Sequence, residues 1–259
     1  MSFFSDRDAY PACGIFSLGH FIFFIVIGAL IVLGLYLSRN ITKRGLRDQT
    51  LVSVCILWTL EIIKIGYNHI HGYFGLDQWF PLAFCSLFLY AALFALSKNE
   101  LVKNMGQAWL IFGGILGGFC YLIYPSTSLP IVQAFHFLAF HGMGYHGVLL
   151  YIGILYFIHS GFEISFKGFK YYFLFLSIFF PIAIIMDYSL HVNLMFFREA
   201  YNLPEFAKAV AEWNLPIYTI IVILVYLLLP YVIIYGIDRF LAFMHKRKKN
   251  AVLQEDVNE

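Results

Sequence analysis

Apolar residues gather into seven long runs separated by short polar joins. The runs cover about residues 18–36, 50–68, 79–97, 106–124, 134–158, 171–190 and 216–240. A helix that crosses a bilayer needs ~20 mostly apolar residues, and each run has about that length. The pattern predicts an all-α integral membrane protein, a seven-helix transmembrane bundle forming a single domain over residues 1–259. One polar join breaks the pattern. In "LPEFAKAVAEW" (203–213), Phe206, Val210 and Trp213 share one face, while Glu205, Lys208 and Glu212 share another. Pro204 suits a first helical turn, so a short helix lying in the membrane interface is expected there. It reads first as an anchor and second as a lid over a lateral opening.

The joins alternate in charge, and this sets direction. "SRNITKRGLRD" carries Arg39, Lys43, Arg44 and Arg47; "NHIHGYFGLDQ" has neither Lys nor Arg. "SKNELVK" is basic, "PSTSLP" is uncharged, and "FEISFKGFK" carries Lys167 and Lys170. The tail, about 245–259, opens with Lys246, Arg247, Lys248 and Lys249. Positive joins stay cytoplasmic, which places the N-terminus outside and the C-terminus inside.

Composition agrees with this reading. The chain is 61% hydrophobic and 12% charged, with a mean hydropathy of +0.78, far from soluble globular usage. A net charge of +2 and the lack of any basic-aromatic groove or glycine-rich phosphate loop give no reason to expect a nucleic-acid partner. "MSFFSDRDAYPACG" lacks the basic start and cleavage site of a signal peptide, so the first run is expected to remain as a helix. Cys13, Cys55, Cys85 and Cys120 show no CxxC spacing, so neither a disulfide framework nor a structural zinc site is signalled. Cys55 and Cys120 read as buried packing residues. The expected setting is a multi-pass protein of a plasma membrane if bacterial, or of an endomembrane if eukaryotic.

With direction fixed, polar groups collect in the outer half. His20, His69, His71, His136, His141, His146 and His191 all fall there, out of nine histidines in all. Asp187 closes the sixth run, and Tyr218 opens the seventh as a further supporting polar group. Intramembrane ionisable groups are functional candidates by default. Glu61 and Lys64, one turn apart on the second run, read first as mutual neutralisation and second as a proton-handling pair. In "FHFLAFHGMGYHG" the histidines stand five apart, which turns successive rings by ~140° on a helix. His136, His141 and His146 therefore point three ways and cannot ligate one metal together. Gly142, Gly144 and Gly147 predict close helix approach beside them.

Three stretches carry a family resemblance. "FPLAFCSLFLY" (Phe80–Tyr90), "FHFLAFHG" (Phe135–Gly142) and "VNLMFF" (Val192–Phe197) resemble, in order and spacing, signatures of the YwaF-like integral membrane family. Its eukaryotic relatives are phospholipid-remodelling acyltransferases that use an intramembrane cysteine and histidine. The resemblance implies Cys85 as nucleophile, His141 as base and Asn193 as a polar group of the third motif. This chain departs from the family pattern at Ala83, where histidine is frequent, and at Phe140, where serine is usual.

The implied chemistry is an acyl-enzyme route without a cofactor. A histidine takes the thiol proton, the thiolate attacks a lipid ester, and the proton returns to the leaving oxygen. Asn193 is the candidate donor for the tetrahedral oxyanion. Glu61, Lys64, His136, His146, Asp187 and Tyr218 are the supporting set. Partners are membrane lipids: a phospholipid as acyl donor, because acyl-CoA lies on the cytosolic side, and a lysolipid or water as acceptor. The alternatives are a metal-dependent lipid hydrolase using, for example, His136, His191 and His71 with Asp187, and a non-enzymatic transporter or receptor. The seventh run holds no lysine for a retinal Schiff base.

Overall fold

In the computed structural model the described backbone covers residues 2–201 and 203–258, with the side chains of residues 77–78 and 248–258 outside the description. The regular structure of the described residues is all helix, without strands. α1 (Leu18–Leu37) starts at a Ser17 cap and α2 (Lys43–Ile70) at a Thr42 cap, each hydroxyl accepting a first-turn N–H. α3 is a single turn (Leu76–Trp79), and a 3-10 turn (Cys85–Leu87) leads into α4 (Phe88–Ala95). α5 (Glu100–Trp109) continues through a π turn (Leu110–Gly114) into α6 (Ile115–Ile123). α7 (Phe137–His159), α8 (Phe166–Ser189), α9 (Glu205–Trp213) and α10 (Leu215–Asn258) complete the chain.

Among the described residues six helices are long and apolar enough to cross a membrane: Leu18–Leu37, Lys43–Ile70, Glu100–Ile123, Phe137–His159, Phe166–Ser189 and Leu215–Arg247. The third apolar run differs from expectation. Only Cys85–Ala95 forms an apolar helix there, about 16 Å long at 1.5 Å per residue, half a bilayer core. Pro81 is the reason. It lacks an N–H and forces the residue before it out of helical geometry, and Phe80 stands at φ −94°, ψ 116°. Non-helical backbone survives at membrane depth only when shielded by protein or lining a cavity.

The helices sort into an inner and an outer set. In the spans ending in α6 and formed by α7, 61% of the most apolar stretch is buried, against 6% in α1 and 11% in α10. Apolar side chains that face outward need lipid around them. Inner helices approach closely where glycine removes a side chain. A Cβ on Gly106 would lie 2.4 Å from the Ala91 carbonyl oxygen of α4, and one on Gly118 2.9 Å from that of His146. Of the triplet noted in the sequence, Gly142 and Gly147 abut Tyr121 and Ile27, while Gly144 faces open space.

The first residues run across one end of the bundle. Phe3 O accepts the Phe137 N–H at 2.8 Å, and Ser5 O accepts the Tyr67 hydroxyl at 2.8 Å. Arg7 donates to Asn68 Oδ1 at 2.9 Å, and Tyr73 donates to Asp6. In the C-terminal tail, Lys246 and Arg247 continue α10 exposed, and the side chains of the remaining tail cations lie outside the described residues.

Candidate functional site

A cavity of about 690 Å³ opens among α2, the 80–86 stretch, α6, α7, the 190–203 join and α10. Its volume suits a small ligand or part of a lipid. Cys85 and His141 both line it, as do Glu61, Lys64, His146 and Asn193. Three of the nominated residues, His136, Asp187 and Tyr218, lie outside its lining.

Cys85 starts the helical part of the third segment, just past the Pro81 break. Its sulfur rests against α6, where a Cβ on Gly117 would stand 3.3 Å from Sγ. His141 sits one turn into α7, with its side chain 10% exposed. Its Nε2 is 3.4 Å from Glu61 Oε2, and the other oxygen of that carboxylate takes the Lys64 ammonium. Glu61 is 1% exposed. The pair Glu61–Lys64 thus does more than neutralise itself: the carboxylate stands between a cation and an imidazole. Nε2 of His141, the ring nitrogen that faces the carboxylate, makes no aligned hydrogen bond here.

His141 and His146 lie on α7, and His136 stands just before it. His136 caps the helix, its Nδ1 accepting the Leu138 N–H at 3.0 Å. Its Nε2–H then donates to the Ser5 carbonyl, also at 3.0 Å. That ring is a latch for the N-terminal segment. His146 lies flat on Tyr121, with ring centroids 3.4 Å apart and planes 4° apart. Its Nδ1 is 2.7 Å from the Gly142 carbonyl; a carbonyl only accepts, so Nδ1 carries the proton and Nε2 the lone pair.

The third motif folds on itself. Asn193 Nδ2 donates to Glu199 O at 2.9 Å, and Oδ1 accepts the Glu199 N–H at 3.3 Å. Asp187, fully buried, accepts the Leu194 N–H at 2.8 Å. Both side chains shape this join, in which His191 and Phe196 take the left-handed φ values of 55° and 58°. For non-glycine residues such values are uncommon and need support from their surroundings. Among the described residues no group of three His, Cys, Asp or Glu side chains is placed to hold a metal ion.

Cys55 and Cys120 are exposed, not buried. Hydropathy rates a lipid-facing and a core position alike, which is why the expectation failed; Cys120 in fact lines the cavity. Sequence reasoning also passed over Arg7, Asn68, Tyr121, Tyr145 and Tyr226, all of them cavity-lining. Asn68 was within reach of it. With Glu61 and Lys64 it completes a polar stripe along one face of α2, at spacings of three and four residues.

Helices fit for a bilayer, around a cavity lined by several polar side chains, define a multi-pass membrane protein. The chain belongs to the TMEM164 family, whose model matches residues 15–234. Comparisons with curated proteins and with solved structures give no match.

Proposed function

We propose that this protein is an intramembrane acyltransferase acting on phospholipids through a Cys85 acyl-enzyme, with His141 as its base. The observation that carries the reading is that Cys85 and His141, from separate segments, line one cavity with a buried carboxylate behind the imidazole. Nucleophile, base and a third group that orients the base make up the arrangement that activates a weak nucleophile. The YwaF-like resemblance of the stretches around both residues supports the same assignment.

In the proposed reaction His141 takes the thiol proton and the sulfur attacks the ester carbonyl of a phospholipid. The tetrahedral intermediate collapses, the C–O bond to the lysolipid breaks, and the leaving oxygen takes the proton back from His141. An acceptor hydroxyl, from a second lysolipid or from water, then attacks the thioester with His141 again as base, and the thiol is restored. Glu61 holds the imidazole in orientation and favours its charged form, while Lys64 holds Glu61.

The proposed topology has seven crossings with the N-terminus outside. The third run would cross as the non-helical Phe80–Phe84 stretch followed by the short helix, with Ala83 and Phe84 lining the cavity. The alternating basic joins support the direction. The cavity then lies toward the outer leaflet, where lipid donors enter without crossing the membrane.

The test is transfer between labelled phospholipid and lysolipid by purified protein in nanodiscs. Transfer is expected for the natural chain and absent for Cys85→Ser and for His141→Ala, both folded. Turnover unchanged in both variants overturns the assignment. Efficient transfer from acyl-CoA would overturn the donor.

A further inference from the structure

The acyl-enzyme reading leaves one need unmet. The tetrahedral intermediate carries a negative oxygen, and that oxygen is stabilised by a hydrogen-bond donor already in place. Asn193, nominated from the sequence, is turned toward its own join through Glu199.

Tyr145 meets the need. It stands one turn beyond His141 on α7, so both side chains project from the same helix face. It lines the same cavity as Cys85. Its ring packs against Phe88 at 6.4 Å between centroids, and Phe88 lies one turn beyond Cys85. Tyr145 is 3% exposed, yet its hydroxyl has no hydrogen-bond partner among the described residues. A buried hydroxyl is ordinarily paired, because an unmet donor is costly. An unpaired one on a residue that lines the nucleophile's cavity is a donor waiting for an acceptor that the resting protein lacks.

We propose that the Tyr145 hydroxyl is the oxyanion donor of the acyl-transfer site, a catalytic residue touching the carbonyl oxygen of the lipid ester. This rests on the acyl-enzyme reading above. When the Cys85 sulfur bonds to the carbonyl carbon, the C=O electron pair moves onto oxygen, and Tyr145 donates a hydrogen bond to it without giving up its proton. On collapse the pair returns to the carbonyl, the lysolipid oxygen leaves with the proton from His141, and the Tyr145 hydroxyl is released. The same donor serves the second half-reaction.

The experiment compares Tyr145→Phe, Cys85→Ala and the natural protein in nanodiscs by transfer kinetics, by the rate of Cys85 alkylation with iodoacetamide, and by melting temperature. Tyr145→Phe is expected to lower kcat about 10²–10³-fold, the loss typical of one oxyanion donor, with KM changed little. Alkylation creates no oxyanion, so its rate should stay within about twofold. The melting temperature should hold or rise, since an unpaired buried hydroxyl is being removed. A lipid trifluoromethyl ketone, whose adduct with the thiol carries the oxyanion, should lose affinity in parallel with kcat. Retained turnover in Tyr145→Phe with Cys85→Ala inactive overturns the Tyr145 assignment alone. So does a parallel loss of alkylation, or a fall in melting temperature, each of which would make the hydroxyl structural. Full turnover in Cys85→Ala overturns the acyl-enzyme reading itself.

Discussion

The two halves of α7 carry similar polar side chains in opposite conditions. In the second half Tyr151, Gln49 and Ser38 close a ring of hydrogen bonds: Gln49 Nε2 donates to Ser38 at 3.1 Å, Ser38 pairs with Tyr151 at 2.9 Å, and Tyr151 donates to Gln49 Oε1 at 2.8 Å. Nearby, Thr50 bonds both the Leu46 carbonyl at 2.7 Å and the Tyr156 hydroxyl at 3.1 Å. The donors of this network are matched, and it ties α1, α2 and α7 together. In the first half His141 Nε2 and the Tyr145 hydroxyl are buried without aligned partners, around an open cavity. A saturated network holds helices in register, whereas unmet polar groups on residues that line a cavity leave hydrogen-bonding capacity for a ligand. Lining the cavity is essential to that inference. Trp109 Nε1 and the Tyr218 hydroxyl are also unpaired, but neither residue lines the cavity.

Substitution at the nucleophile and base should separate the halves most sharply. Cys85→Ser and His141→Ala are expected to lose transfer by at least about 10²–10⁴-fold, the range for general-base loss, with melting little changed. Next comes the buried pair. Glu61→Gln should lower turnover about 10–100-fold and also lower the melting temperature, because it strands the Lys64 ammonium. The double variant Glu61→Gln with Lys64→Met should recover the melting temperature and leave turnover low. Recovery of both in the double variant would make Glu61 a packing residue. The smallest effect belongs to the saturated half. Tyr156→Phe and Tyr151→Phe should each cost about 1 kcal/mol, read as a few degrees of melting temperature, with transfer rates unchanged. A large loss of turnover in either would erase the contrast.

Much of the architecture was legible in the sequence, because hydropathy reports length and composition directly. Six of the seven apolar runs contain a helix able to cross a membrane. The third run failed as a continuous helix because hydropathy counts Pro81 as neutral, while the backbone cannot treat it so. That His141 and His146 meet different partners follows from helical geometry, whereas His136 stands before the helix in extended backbone as its cap. Which partners those are does not follow. Nothing in the local sequence says that Glu61 meets His141 80 residues away, since that contact depends on how α2 and α7 pack. Tyr145 escaped notice for a similar reason: a tyrosine on an apolar helix looks the same whether or not its hydroxyl finds a partner.

The central claim is a covalent lipid acyl group on the sulfur of Cys85. Purified protein in nanodiscs, incubated with phospholipid without acceptor and quenched in acid, should yield a Cys85 peptide heavier by one acyl chain. That adduct should be released by neutral hydroxylamine and be missing from His141→Ala. Transfer that proceeds with no acyl adduct at Cys85, or with the adduct on another residue, would contradict the account.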